Sequence, residues 1–226
     1  MLRRISHWRG RRAALPTIGR TPPDSQESPP SDEAHLGGPP SVALIDVARV
    51  YPSPKTEAEY CDGIDLIDEL VRRVVAPRRV DQNVAEVVCR LYGGWYAHDG
   101  TPMQQRVWLL KNIKRFGGLR SGVRLIPELA DSLTYVPRAI LWGTYKNKAQ
   151  KMVDHMLALD SLYYARSGDH ENVLVVSDDE DFLPAILVIN TDTSTKVCWL
   201  RQRSALTNDR YLDISRVELL IDSAWV

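Results

Sequence analysis

Apolar residues follow two different rhythms along this chain, and the rhythms alternate. Residues 42–45 and 173–176 are short apolar runs with no polar interruption, the pattern of strands buried on both faces of a parallel sheet. Residues 84–92 are apolar and rich in strand formers, and residues 123–126 and 196–200 add two more strand segments. Between them the spacing lengthens to three and four. In 57–75, Ile64, Ile67, Leu70, Val71 and Val74 form one helical stripe, the charged residues fall mostly off it as solvent-facing charge, and Pro77 stops the helix. Further helices are predicted from Pro102 to about Phe116, closed by Gly117 and Gly118, from about Ala149 to Arg166, ended by Gly168, and over 182–188. Residues 49–56, with Pro52 and Pro54, and the stretch from Gly93 to Gly100 read as loops; 140–145 reads as strand or loop, and 212–221 as a terminal helix or an edge strand. This alternation predicts an α/β fold with a doubly wound, right-handed parallel sheet.

Acids stand where such a sheet keeps its ligands. The run 173–176 is followed by Ser177, Asp178, Asp179, Glu180, Asp181 and Phe182, and the run 42–45 ends in Asp46. Ligands of open α/β sheets collect beyond the carboxyl ends of the strands. A plainer reading of the second cluster is a helix cap, since Ser and Asp suit that position and acids suit the positive end of the helix dipole. Two strands that each deliver acid to one edge need a proton or a cation between the charges, and a hard divalent cation is the natural partner. In the helix beginning near 149, Val153, Met156, Leu157, Asp160 and Tyr164 share one stripe. Asp160 thus sits inside an apolar face and must be paired, hydrogen-bonded or metal-bound. Asp154 falls in the first turns, able to point toward a site at the sheet edge.

Composition narrows the picture. Residues 1–40 hold six arginines (Arg3, Arg4, Arg9, Arg11, Arg12, Arg20), four acids and a scatter of Pro, Ser and Gly, and read as a disordered tail preceding one domain over 41–226. Removing that tail from the totals of 29 basic and 29 acidic residues leaves 23 and 25, so a polyanion must be held by a local patch. The first twenty residues lack a continuous apolar segment, which argues against secretion and leaves a transit peptide or a flexible basic arm open. No stretch reaches the 18 or so apolar residues of a membrane span. Cys61, Cys89 and Cys198 are odd in number and widely spaced, as expected of core thiols in a reducing, cytoplasmic compartment; the five histidines show no metal-ligand spacing. Arg201, Arg203 and Arg210 read as surface charge.

Lys151-Met152-Val153-Asp154, then Asp160, then the strand ending Ser177-Asp178-Asp179-Glu180-Asp181-Phe182, together with the opening strand that ends at Asp46, closely resemble the NYN branch of the PIN-like nucleases. The order and spacing of elements agree from about Ser41 to about Asp222. The resemblance implies a PIN-like (Rossmann-like) three-layer sandwich with a central, mainly parallel sheet, and Mg²⁺- or Mn²⁺-dependent hydrolysis of RNA phosphodiesters. It implies that Asp46, Asp154, Asp179 and Asp181 bind the metal, with Asp160 either supporting those ligands or adding a further one, and that Lys151 is the lysine beside the site. Arg49, Lys146, Lys148 and Ser177 are the expected RNA contacts. Four positions depart from the family pattern. Val47, Ala48 and Arg49 stand where the family has Gly, any residue and Asn, so that Arg49 either grips a phosphate or occupies the metal's place. Met152 replaces a glycine. Asp178 replaces the turn glycine, where Asp tolerates a left-handed backbone better than most residues.

Rival readings are weaker. An Asp-x-Asp pair also occurs in glycosyltransferases and Toprim domains; a haloacid-dehalogenase-type phosphatase wants an acid at position 48, where the chain has Ala; and no P-loop motif exists. A PIN-like domain without turnover, binding single-stranded RNA or a protein partner or forming a homo-oligomer, is the alternative. Lys111, Lys114 and Arg115, with Tyr145, Lys146 and Lys148, are candidates for a basic RNA rim, and Trp95, Tyr96 and Trp142 for base stacking, though a solvated helix face and core aromatics explain them too.

Overall fold

The computed structural model describes residues 40–50, 54–79, 83–134, 144–146, 149–201 and 217–221, all within the unit Leu36–Val226. Apart from Pro40, the expected tail lies outside the described residues, as do Trp142, Lys148, Arg203 and Arg210.

In chain order the strands are β1 (Val42–Asp46), β2 (Ala85–Tyr92), β3 (Tyr96–Ala97), β4 (Gly118–Arg120), β5 (Val123–Leu129), β6 (Thr144–Lys146), β7 (Ala149–Lys151), β8 (Asn172–Val176), β9 (Lys196–Arg201) and β10 (Val217–Ile221). The helices are α1 (Val47–Val50), α2 (Glu57–Val75), α3 (Gln104–Asn112), α4 (Val153–Ser167) and α5 (Leu183–Asp192). Seven strands form one sheet in the order β10-β9-β8-β1-β2-β5-β4, parallel throughout except for β4, and β3-β6-β7 form a small second sheet. The β1 strand is central and fully buried. Its period of two splits the core. Ala43 and Ile45 pack with Ile64, Ile67, Leu70 and Val71 of α2 and Leu109 of α3, while Val42 and Leu44 pack with Met156 and Leu157 of α4 and Ile186 and Ile189 of α5. Helices therefore cover both faces of a mostly parallel sheet, as the uninterrupted apolar runs require.

Local chemistry explains where the elements begin and end. Thr56 caps α2, its Oγ1 accepting from Glu59 N at 3.2 Å, while the Glu59 carboxylate accepts from Lys55 N at 2.7 Å. Gly168 closes α4 with φ +76°. The β5 strand runs on through Pro127 because its outer neighbour β4 covers only Val123 to Leu125, so the missing proline N–H leaves no ladder bond unmade.

Several expectations change. Residues 47–50 form a helical turn rather than loop, which puts Arg49 on α1. The helix expected from Ala149 starts at Val153, since residues 149–151 pair antiparallel with β6 and Met152 turns the chain at φ +65°. The segment from Pro102 gives a shorter helix, Gln104–Asn112, and Val217–Ile221 is an edge strand parallel to β9. On α2, Asp68 and Arg72 are not solvent-facing charge. Both are buried, and Asp68 accepts from Arg72 Nε at 2.8 Å, from Gly117 N at 2.9 Å and from Arg120. Arg72 also donates to the carbonyls of Gly117, Gly118 and Arg120 at 3.0–3.1 Å, clamping the β4–β5 hairpin to the helix. Gly117 itself has φ +99° and lies so near Leu125 O that a Cβ would sit 2.7 Å from it.

Met152 is half-exposed in a left-handed conformation that costs an unbranched L-residue about 1 kcal/mol relative to Gly. Met152→Gly is therefore expected to leave stability unchanged or raise it by up to about 1 kcal/mol, against the usual penalty of a new glycine. A urea titration reads the difference, and a loss above about 1 kcal/mol would show that the Met152 side chain contributes packing that outweighs the strain.

Candidate functional site

The neighbouring strands β1 and β8 end side by side, with Ile45 opposite Val176. Asp46 closes the first, completely buried, and its Oδ1 accepts from Arg49 N at 3.3 Å across the α1 turn. After β8 the chain makes a sharp turn built from its own side chains. Ser177 Oγ accepts from Asp179 N at 3.2 Å, and Asp179 Oδ1 accepts from Asp181 N at 3.0 Å, capping a short 3₁₀ turn at Glu180–Phe182. Asp178 has no positive φ, so this turn does not use the left-handed conformation anticipated for it. The Asp179 Oδ2 atom pairs with the guanidinium of Arg49, which links the end of β1 to the turn after β8.

Asp154 enters from α4, half-buried in the helix's first turn. Its pKa is raised, first by burial, then by the charges of Asp179 and Asp181, against a lowering from Arg49 and His155. Its Oδ1 is buried with no hydrogen-bond partner among the described residues. Asp154, His155, Ala158, Glu180, Asp181, Leu183 and Pro184 line a cavity of about 400 Å³ beside the cluster. Asp154 therefore feels the charges of Asp179 and Asp181, and Asp46 is linked to Asp179 through Arg49.

Other expected residues go elsewhere. Asp160 is wholly buried in a structural network: its Oδ2 accepts from Tyr92 Oη at 2.7 Å and Arg90 Nη2 at 3.2 Å, and its Oδ1 from Thr134 N at 2.9 Å. Burial, then the Asp160 charge, raises the Tyr92 pKa well above that of a free phenol, so its hydroxyl stays protonated and donates. Both carboxylate oxygens are engaged by the sheet and the segment after β5, the paired and hydrogen-bonded environment that an acid buried on an apolar face requires. Ser177 is also fully buried, holding the turn through Oγ and accepting from Trp199 Nε1 at 3.0 Å through its carbonyl, so it shapes the edge rather than offering itself to RNA. Lys151 is exposed at the end of β7, and the backbone of Lys146 lies on β6. Trp95 is buried, whereas Tyr96 is partly exposed beneath the Arg106 guanidinium, 4.9 Å from the ring centroid. Lys111 and Arg115 pair with Glu57 and Asp65 on α2.

Arg201, like Asp68 and Arg72, lies elsewhere than sequence reasoning placed it. Instead of surface charge it is 3 % exposed, stacked over Trp199 at 4.7 Å, and reaches the Asp178 and Glu180 carboxylates at 3.5 and 3.3 Å. It braces the acidic turn from behind. Its position two residues beyond Trp199, on the same face of β9, was the available signal.

As arranged, these groups do not fit a divalent ion. Among the described residues no three His, Cys, Asp or Glu side chains converge to hold one, and the cation on Asp179 is Arg49. Arg49 offsets part of the cluster's negative charge from within the chain. No helix among the described residues is long and apolar enough to cross a membrane. Compared with protein-family models, with curated proteins and with solved structures, the chain matches none.

Proposed function

We propose that this chain is a PIN-like ribonuclease domain of the NYN kind, acting on single-stranded RNA with Mg²⁺ or Mn²⁺ at the edge formed by Asp46, Asp154, Asp179 and Asp181. One observation carries the reading: carboxylates from the ends of two adjacent parallel strands and from the first turn of α4 gather at one sheet edge, where burial first, and then the charges of Asp179 and Asp181, raise the pKa of Asp154. Clustered acids at a strand edge weaken the fold they belong to, and such arrangements belong to sites that handle a cation or a proton. The left-handed Met152 adds support, because it stands where the resembling family has glycine. Exposed Lys151 next to it is suited to meeting a phosphate. The three buried free thiols accord with a cytoplasmic setting.

The Arg49–Asp179 pair favours a second reading, a PIN-like module that binds RNA or a protein without cutting, since it spends a would-be ligand on an internal ion pair. A cleavage assay on labelled single-stranded RNA with Mg²⁺, Mn²⁺ or EDTA separates the two. Metal-dependent cutting by the wild type, reduced at least about a hundredfold in Asp154→Asn, is the expected result. Binding that is indifferent to metal, with no product, would leave only the module.

The same variant has a stability signature. Because the Asp154 pKa is raised in the folded state, the charged carboxylate weakens the fold above that pKa, and the penalty fades as pH falls toward 3.8. Asp154→Asn is thus expected to melt higher than wild type at pH 7 and to lose that advantage in acid. An unchanged or lower melting temperature at pH 7 would remove the strained-carboxylate argument.

A further inference from the structure

Building on the ribonuclease reading, we propose that Arg201 is a positioning residue of the acidic edge: from the end of β9 its buried guanidinium fixes the turn that follows β8, and through that turn the places of Asp179 and Asp181. Each of the last three residues of β9 holds the turn at a different point. Trp199 Nε1 donates to Ser177 O at 3.0 Å, Leu200 O accepts from Ser177 N at 3.3 Å, and Arg201 reaches Asp178 O at 3.5 Å, Asp178 Oδ1 at 3.5 Å and Glu180 Oε1 at 3.3 Å. The turn's own side chains carry that hold forward, since Ser177 Oγ accepts from Asp179 N and Asp179 Oδ1 from Asp181 N. Residues 178 and 180 thus lean on Arg201, while Asp179 pairs with Arg49 and Asp181 lines the cavity with Asp154.

Burial separates this role from contact with RNA. The Arg201 guanidinium is sealed over the Trp199 ring, closed to a phosphate arriving from solvent, so any effect it has on a reaction passes through the turn. A cation so deeply buried needs an acid and a ring to answer it, and the Asp178 side chain beside it is itself only 8 % exposed. Asp178 stands where the resembling family has its turn glycine, and it has no positive φ, so this turn takes its shape from β9 rather than from a left-handed backbone. The planar fork of a guanidinium spans Asp178 and Glu180 at once, which an ammonium does not do. An acid displaced by about 1 Å from its working place costs on the order of a hundredfold in rate, which makes the brace on Asp179 and Asp181 a matter of catalysis as well as of folding.

The test compares wild type, Arg201→Lys and Arg201→Met as full chains, in steady-state cleavage of labelled single-stranded RNA with Mn²⁺ and in amide hydrogen exchange without RNA. The kcat is expected to fall about tenfold in Arg201→Lys and about a hundredfold in Arg201→Met, with KM within about twofold of wild type because a buried side chain leaves the RNA-facing surface intact. The amides of Asp179 and Asp181 should lose protection by at least about tenfold in Arg201→Lys while those of β1 keep theirs. Unchanged protection of the turn overturns the proposal. So does a folded Arg201→Met with the kcat of wild type, and so does a raised KM at full kcat, which would make Arg201 an RNA contact. Should Arg201→Met misfold by circular dichroism, the comparison of wild type with Arg201→Lys decides. The two readings fail separately. A wild type that never cuts RNA, with the turn loosened in Arg201→Lys, sinks the nuclease and keeps Arg201 as the residue that holds the turn, whereas a wild type that cuts RNA and is matched by Arg201→Lys in kcat and in protection does the reverse.

Discussion

Asp160→Ala is expected to destabilise the fold by about 3–5 kcal/mol, a large part of the stability of an ordinary domain. The carboxylate is fully buried and serves three donors at once, the Tyr92 hydroxyl, the Arg90 guanidinium and the Thr134 N–H, and Arg90 also donates to Tyr92 Oη at 3.2 Å. Removing it strands a positive charge, a phenol and a backbone amide in a site that water does not reach. Arg90 keeps its bonds to Ser132 O at 2.8 Å and Glu128 at 3.3 Å, which bounds the loss. Asp160→Asn retains an acceptor and should lose clearly less. Equilibrium unfolding in urea measures both. A loss under about 1 kcal/mol for Asp160→Ala, together with weakened Mn²⁺ binding, would return Asp160 to the role of ligand that its network now denies it.

Asp68→Ala is expected to cost about 3 kcal/mol, and to do so locally. Asp68 is the shared acceptor for Arg72, Arg120 and Gly117 N, so its removal releases both the buried arginine and the turn that opens β4. Arg72 keeps its bonds to the carbonyls of Gly117, Gly118 and Arg120, which is why the expected loss lies at the low end for a broken buried pair. Hydrogen exchange gives the sharper readout. Amides of residues 117–125 should lose protection while those of β1 and β8 keep it, because the clamp lies on the far side of the sheet from β8. Uniform loss across the sheet would mean that Asp68 supports the whole core rather than one hairpin.

The contrast between these two acids and the four at the sheet edge is instructive. Asp68 and Asp160 are buried and fully partnered, and their worth is structural. Asp154 is half-buried, with one buried oxygen that has no hydrogen-bond partner among the described residues and a pKa raised first by burial and then by the charges of Asp179 and Asp181. That unfavourable electrostatic position is the physical basis of the functional reading.

Patterning made much of this legible in advance. The α2 helix appears with the bounds its period and Pro77 predict, the apolar runs became the central strands β1 and β8, and Asp46, Asp179 and Asp181 stand at their carboxyl ends. The helix start near 149 was missed because residues 149–151 carry no strand signal of their own. They are strand only by pairing with β6. Arg201 was misread for a related reason: a charge at a strand end looks solvent-facing until the turn after β8 and the Trp199 ring are laid over it.

What the sequence determined by itself is what local periodicity and strand-end position encode: an α/β chain, two doubly covered parallel strands, and acids delivered to one edge. What only the tertiary structure decided is how the charges pair, because an ion pair depends on which distant segments meet and how much water remains between them. That is how Asp160 came to be sealed beneath Arg90 and Tyr92, and how Arg49 came to lie on Asp179, 130 positions away in the chain.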